Sequence, residues 1–249
     1  MNQDNTPDVS SQSEDILHKI EDLANSDDFF ATYEFLDELS EKGNHEMFVK
    51  ACEAGLCDCE IFYVRTNILI QACSNGNFRL AKDLVDYGCN IKSKDMYGQS
   101  PLTVASAAGA LEIVKYLISA GADKEIGDLS GNTPLINASR NDQLEVVKYL
   151  ISIGADKEVG GYRTPLFSAL ENNHPEVVQY LISVGANIKL LNSNGYSLLM
   201  YASCNGYTEI VKCLIDAGAT LKFLLLESDT PVNFYKSSLI QLPDWRHSL

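Results

Sequence analysis

Apolar residues in the middle of this chain come in short bursts at helical spacing, separated by glycines and turn residues. Residues 100–122, SPLTVASAAGALEIVKYLISAGA, show the unit. Ser100 has a side-chain oxygen suited to capping a helix start. Pro101 follows at the first helical position, where its missing N–H costs nothing. Leu102 and Ala105 are three apart and share a face, and Gly109 ends this first helix. A second helix begins near Leu111, carries Ile113, Val114, Leu117 and Ile118 on its apolar side, and stops at Gly121. Just upstream, Asp95-Met96-Tyr97-Gly98 has the chemistry of a tight hairpin turn. The pattern predicts pairs of short helices, with a hairpin between one pair and the next.

The unit recurs at a fixed interval. Gly55, Gly88, Gly121 and Gly154 are spaced 33 apart, Gly185 follows at 31 and Gly218 at 33. Pro101, Pro134, Pro165 and Leu198 show the same spacing, including the step of 31. One two-residue deletion between Gly154 and Pro165 accounts for both series and should shorten the hairpin before Thr164. Copies of the unit lie at 133–155 (TPLINASRNDQLEVVKYLISIGA), 164–186 (TPLFSALENNHPEVVQYLISVGA) and 197–219 (SLLMYASCNGYTEIVKCLIDAGA), with a weaker one at 67–89 (NILIQACSNGNFRLAKDLVDYGC).

These residues closely resemble the ankyrin repeat family, whose units share this period and the TPL, A, G, I/V-V and G-A positions in register. The resemblance covers about residues 67–222. It implies an all-α ankyrin-repeat solenoid of helix-turn-helix units with β-hairpin or turn connections. Five recognisable repeats fall at about 64–94, 95–127, 128–158, 159–191 and 192–222. The family's histidine after TPL is replaced here by Ile70, Thr103, Ile136, Phe167 and Met200, so apolar packing or a hydroxyl must take its place.

The resemblance also implies a function: a protein–protein interaction module or scaffold. Its turns and first helices line a concave face that grips a partner protein. The hairpin tips supply Met96, Tyr97, Gln99, Leu129, Ser130, Asn132, Arg163, Ser193, Asn194 and Tyr196. The exposed ends of the first helices supply Ser74, Asn75, Arg140, Asn141, Glu171, Asn172 and Asn205. Tyr97, Tyr196, Arg140 and Arg163 are the strongest anchor candidates, since Tyr and Arg dominate binding energy at interfaces; bracing of the hairpins is the alternative role for the two tyrosines. Glu112 with Lys115 and Glu145 with Lys148 are three-apart pairs on the second helices and read as a solvated outer face.

The flanks differ from the repeats. Stepping back 33 from Gly76 and Gly88 gives Gly43 and Gly55, which places EFLDELSEKG (34–43) and HEMFVKACEAG (45–55) in the slots of a first and second helix. Residues 14–63 therefore read as N-terminal helices plus a degenerate capping repeat, polar outside as terminal repeats must be. Ile16, Ile20 and Leu23 predict a further helix within 14–30, and residues 1–13 are expected to be a disordered acidic tail. Residues 223–249, with the single tryptophan Trp245, read as a C-terminal cap or tail.

Charge sharpens this division. Residues 1–66 carry 16 Asp or Glu against 4 Lys or Arg, whereas residues 67–249 carry 18 against 15. Most of the net charge of −15 therefore lies in the first quarter. An acidic chain without a basic stripe is a poor ligand for phosphate backbones or anionic lipid, so neither nucleic acid nor membrane is an expected partner. No stretch approaches the ~20 apolar residues that span a bilayer, and the polar N-terminus lacks a signal sequence. The expectation is a monomeric cytoplasmic or nuclear protein. A two-ended adaptor, using the acidic head or the tail for a second partner, and a regulatory fragment of a larger enzyme are the alternatives.

The candidate chemistry is sparse. The chain has no GxxxxGK[ST], GxGxxG, HExxH or GxSxG, and its four histidines are scattered. No catalytic residues, cofactor or metal site are assigned on this basis. The seven cysteines are odd in number and irregular in spacing, which reads as reduced thiols filling small apolar spaces. Asp27-Asp28 reads as a helix start.

Overall fold

The computed structural model describes residues 9–61, 64–161, 163–193 and 195–219, with side chains from Ser13 onward. The expectations for residues 1–8, for Asn194 and for the 223–249 tail with Trp245 fall outside the described residues. Two compact units divide the chain: Met1–Ala105 with Glu112–Ala122, and Ser106–Leu111 with Asp123–Leu249.

The first unit opens with α1 (Val9–Ala24), α2 (Phe29–Glu41) and α3 (His45–Glu53). Asp28 caps α2 by accepting from the Ala31 N–H at 3.0 Å, and Asn44 caps α3 through Met47. One expectation is corrected here. Helix α1 begins at Val9, so part of the tail assigned to disorder is helical; once the Ile16–Ile20–Leu23 stripe nucleates a helix, adding polar turns costs little. The same helix ends at Ala24, because Asn25 and Ser26 turn their side chains back onto the carbonyls of Glu21 and Leu23. The α2–α3 pair fills the place of the degenerate repeat. It seals onto α5 (Phe78–Asp86) through the Asp37 carboxylate, which accepts from Arg79 and Asn77 at 2.9 Å each, and through Ser40 Oγ donating to Asp83.

A 3-10 turn (Leu56–Asp58) leads into β1 (Glu60–Ile61), which pairs antiparallel with β2 (Thr66–Asn67). The turn brings Cys52 and Cys57 to a Cα separation of 5.0 Å, and they form a disulfide. This corrects the reading of all seven cysteines as reduced thiols. Gly55, left-handed at φ 88°, reverses the chain after α3, so residues too irregularly spaced for a recognisable framework still meet. The remaining five cysteines are free, and Cys73 is wholly buried.

The repeated helix pairs follow. They are α4 (Ile68–Ser74) with α5, α6 (Pro101–Ala108) with α7 (Leu111–Ser119), and α8 (Pro134–Arg140) with α9 (Leu144–Ser152). Then come α10 (Pro165–Glu171) with α11 (Pro175–Ser183), and α12 (Leu198–Cys204) with α13 (Thr208–Asp216). Thr133, Thr164 and Ser197 cap α8, α10 and α12 by accepting from the third N–H beyond them, and Ser100 does the same for Thr103. The first helices are buried on most sides, the second helices on one. In α9 and α11 the buried set is Val146, Val147, Leu150 and Val177, Val178, Leu181, the positions that the apolar stripe selected.

The missing histidine is replaced as expected. Thr103 Oγ1 lies 3.0 Å from Ser100 Oγ, and Ile70, Ile136 and Phe167 are buried. A different histidine links repeats: His174 Nε2–H donates to the Arg140 carbonyl at 2.8 Å.

Candidate functional site

Three of the hairpins are each built by one acidic or amide residue. In the first unit the Asp95 carboxylate accepts from the N–H groups of Tyr97 and Gln99, while Asp95 N–H donates to Gln99 O. In the second unit Asp128 accepts from Ser130 and Asn132 in the same way, and Asn192 accepts from Tyr196. Gly98, Gly131 and Gly195 complete the turns with φ near +75°, where glycine carries no Cβ penalty. The carboxylate satisfies the turn's own donors, so the side chains at the tip are held outward. Where the short unit lacks this residue, Gly160 and Gly161 make a tighter turn closed by Arg163 N–H donating to Gly160 O.

What the tips present is apolar as well as polar. In the first unit Met96 and Tyr97 are 43 % and 59 % exposed. In the second unit Leu129 is 79 % exposed, with Ser130 beside it, and Tyr196 is 38 % exposed. Arg163 and Gln99 are half-buried. Asn132 is a correction: it is 4 % exposed, and its amide is folded onto both carboxylate oxygens of Asp128. In this hairpin the residue after Gly131 turns inward, whereas Gln99 and Tyr196 at the same position of other hairpins stay half-buried and exposed.

The helix-end positions are also partly committed. Asn141, Asn172 and Asn205 stay exposed, but each donates its amide at 2.8 Å to the carbonyl four residues back, finishing the first helix. Asn75 donates to the Tyr33 hydroxyl, and the Glu171 carbonyl accepts from Tyr207. Arg140 is half-buried, with its carbonyl taken by His174. Ser74 is exposed. Exposed Leu191 and Ile126 were missed by the sequence reading. Leu191 takes a slot held by Lys94 and Gly127 in other hairpins, and an apolar residue at a polar slot is the signal that could have found it.

On the second helices, Glu112–Lys115 and Glu145–Lys148 close at 3.1 and 2.7 Å as exposed pairs. No group of three or more His, Cys, Asp or Glu side chains could hold a metal ion among the described residues. No helix of the described residues is long and apolar enough to cross a membrane.

Capped helix pairs joined by hairpins at a 33-residue interval define a helical repeat protein. The family model for ankyrin repeats (3 copies) matches residues 34–128, 69–160 and 158–223. The chain belongs to the ankyrin-repeat family, whose members are generally protein–protein interaction modules and typically non-catalytic. No curated protein matches the chain significantly.

Proposed function

We propose that this protein is a scaffold that binds a partner protein through its hairpin tips and first-helix ends, on the concave face such repeats present. The observation that carries the reading is the exposure of Tyr97, Met96 and Leu129 at tips whose backbone is already satisfied from within. Large apolar and aromatic side chains held clear of the core at rigid turns lose little entropy on binding. Arg140, Arg163 and Tyr196 add forked donors and further contact area. The reading assigns no catalysis and no cofactor, and it places the protein in the cytoplasm as a monomer.

Affinity enrichment with the wild type and with a Tyr97→Ala, Arg140→Ala, Tyr196→Ala variant tests it. Loss of the bound proteins, with an unchanged circular dichroism spectrum, is the expected result. Retention of the same set by the folded variant sinks the proposal. The alternative of a two-ended adaptor is favoured by one observation, a cleft in the acidic head that includes none of the partner-binding residues named above.

A further inference from the structure

The cleft lies where the start of α2 meets the first hairpin. It encloses about 830 Å³ and is lined by Asp27, Asp28, Phe29, Phe30, Glu60, Ile61 and Arg65. Three of its lining residues, Phe29, Phe30 and Ile61, are apolar. Phe29 is buried, and Phe30 meets it edge-on at 5.5 Å while remaining 66 % exposed. A large aromatic ring left this open beside a cleft is an unusual use of surface, since exposed apolar patches rimmed by polar groups mark interaction sites.

The rim is negative. Asp28 is accounted for as the cap of α2. Asp27 and Glu60 form no ion pair among the described residues, and Arg65 offsets only one of the three carboxylates. These carboxylates share one local field. Burial first, and then the charges of Asp27, Asp28 and Glu60, hold the neighbouring Cys59 thiol above its ordinary pKa. The surroundings reinforce the sign, since residues 1–66 carry most of the chain's net negative charge.

We propose that this cleft is a second binding site, which takes an extended basic segment of a partner polypeptide: an Arg or Lys placed between Asp27 and Glu60, with an adjacent apolar side chain packed on Phe30. The charge complementarity selects the occupant. A phosphate-bearing ligand is repelled by the same carboxylates, and an apolar peptide without cations leaves Asp27 and Glu60 unused. The face of the Phe30 ring attracts a guanidinium or ammonium that reaches it. The site deepens the protein-binding reading by naming a partner chemistry, yet it uses none of the residues assigned to that reading, so the two stand or fall separately.

The test is fluorescence anisotropy with a labelled peptide of alternating Arg and Leu. Two controls carry Glu in place of Arg and Ser in place of Leu. Saturable binding of the Arg–Leu peptide below ~100 μM is expected, and affinity should fall with added salt. Phe30→Ser should weaken it about tenfold. The pair Asp27→Asn, Glu60→Gln should weaken it similarly and flatten the salt dependence. All three positions are exposed and none is a helix cap, so the fold should survive, checked by circular dichroism. The Tyr97→Ala, Arg140→Ala, Tyr196→Ala variant should bind the peptide as wild type does, even if it loses the scaffold's partners. Absence of saturable binding, equal binding of the Glu control, or wild-type affinity in the Phe30→Ser and Asp27→Asn, Glu60→Gln variants would each overturn the proposal.

Discussion

Two turn positions in the second unit show how much one residue decides. Gly160 has φ +102°, and a Cβ placed there would lie 2.7 Å from the Arg163 carbonyl oxygen and 2.9 Å from Ile136 Cδ1. Neither neighbour can give way: one is backbone and the other is packed in the core. Gly160→Ala should therefore destabilise the protein by about 2–3 kcal/mol, read as a lower midpoint in urea at constant slope. The opposite sign is expected at Asn173. It occupies the position held by Gly76, Gly109 and Gly206 in other units and adopts φ +58°, a left-handed conformation that asparagine tolerates at a cost. Asn173→Gly should stabilise by about 0.5–1 kcal/mol, because the Cβ penalty there outweighs glycine's larger entropy loss. A lower urea midpoint for Asn173→Gly would refute this. The 33-residue register made the second substitution readable from sequence. The first was not, because the clash depends on how the two-residue deletion folds the Gly160-Gly161 turn against Ile136.

At the scale of elements, the helix pairs and their caps were legible because each rests on local chemistry: Ser100, Thr133, Thr164 and Ser197 before an apolar stripe, and glycine after it. What one pair does to its neighbour was not legible, because those contacts join residues some thirty positions apart. The link from α7 to α5 is an example. The Tyr116 hydroxyl donates to the Asp86 carboxylate, which also pairs with Lys82. Lys82 and then Tyr116 hold Asp86 below the usual carboxylate range. Burial first, and then the bond to Asp86, push Tyr116 up to about 12. A phenol whose folded pKa is raised contributes stability that is complete below the unfolded value of 10 and is lost as pH climbs through the folded one. The melting temperature should therefore fall between pH 10 and about 12 partly through this group. In Asp86→Asn the Tyr116 resonance, followed by NMR, should titrate at lower pH than in the wild type. An unchanged titration would show that burial alone sets it. The same reasoning explains why Asn132 misled the sequence reading: the tip was assigned by position, and only the fold shows Asp128 drawing that amide inward.

For the molecule as a whole, a stack of repeats has an energetic weakness at its ends, where a helix pair has a neighbour on one side only. The acidic head addresses this at the N-terminal side. Its helix α2 packs against α5 and is fastened to it by the Asp37–Arg79 ion pair and the Ser40–Asp83 hydrogen bond. Sequence register placed this helix pair through Gly43 and Gly55, although the family's TPL signature is absent from it. The signature serves repeat-to-repeat contacts on both sides, which a terminal unit does not make, whereas the helix lengths must still match the neighbour. The exposed ion pair contributes little by itself. The apolar contact between the two helices contributes more, at about 25 cal/mol for each Å² removed from water. Removal of residues 1–58 should therefore expose the apolar face of α5, around Leu80 and Leu84. The expected result is a lower melting temperature, binding of a hydrophobic dye and concentration-dependent association. Breaking only the ion pair with Arg79→Ala should change the melting temperature much less and leave the dye unbound. If the truncated chain melts as the full one does, or if Arg79→Ala reproduces the loss, then shape matching of α2 on α5 is not what closes this end.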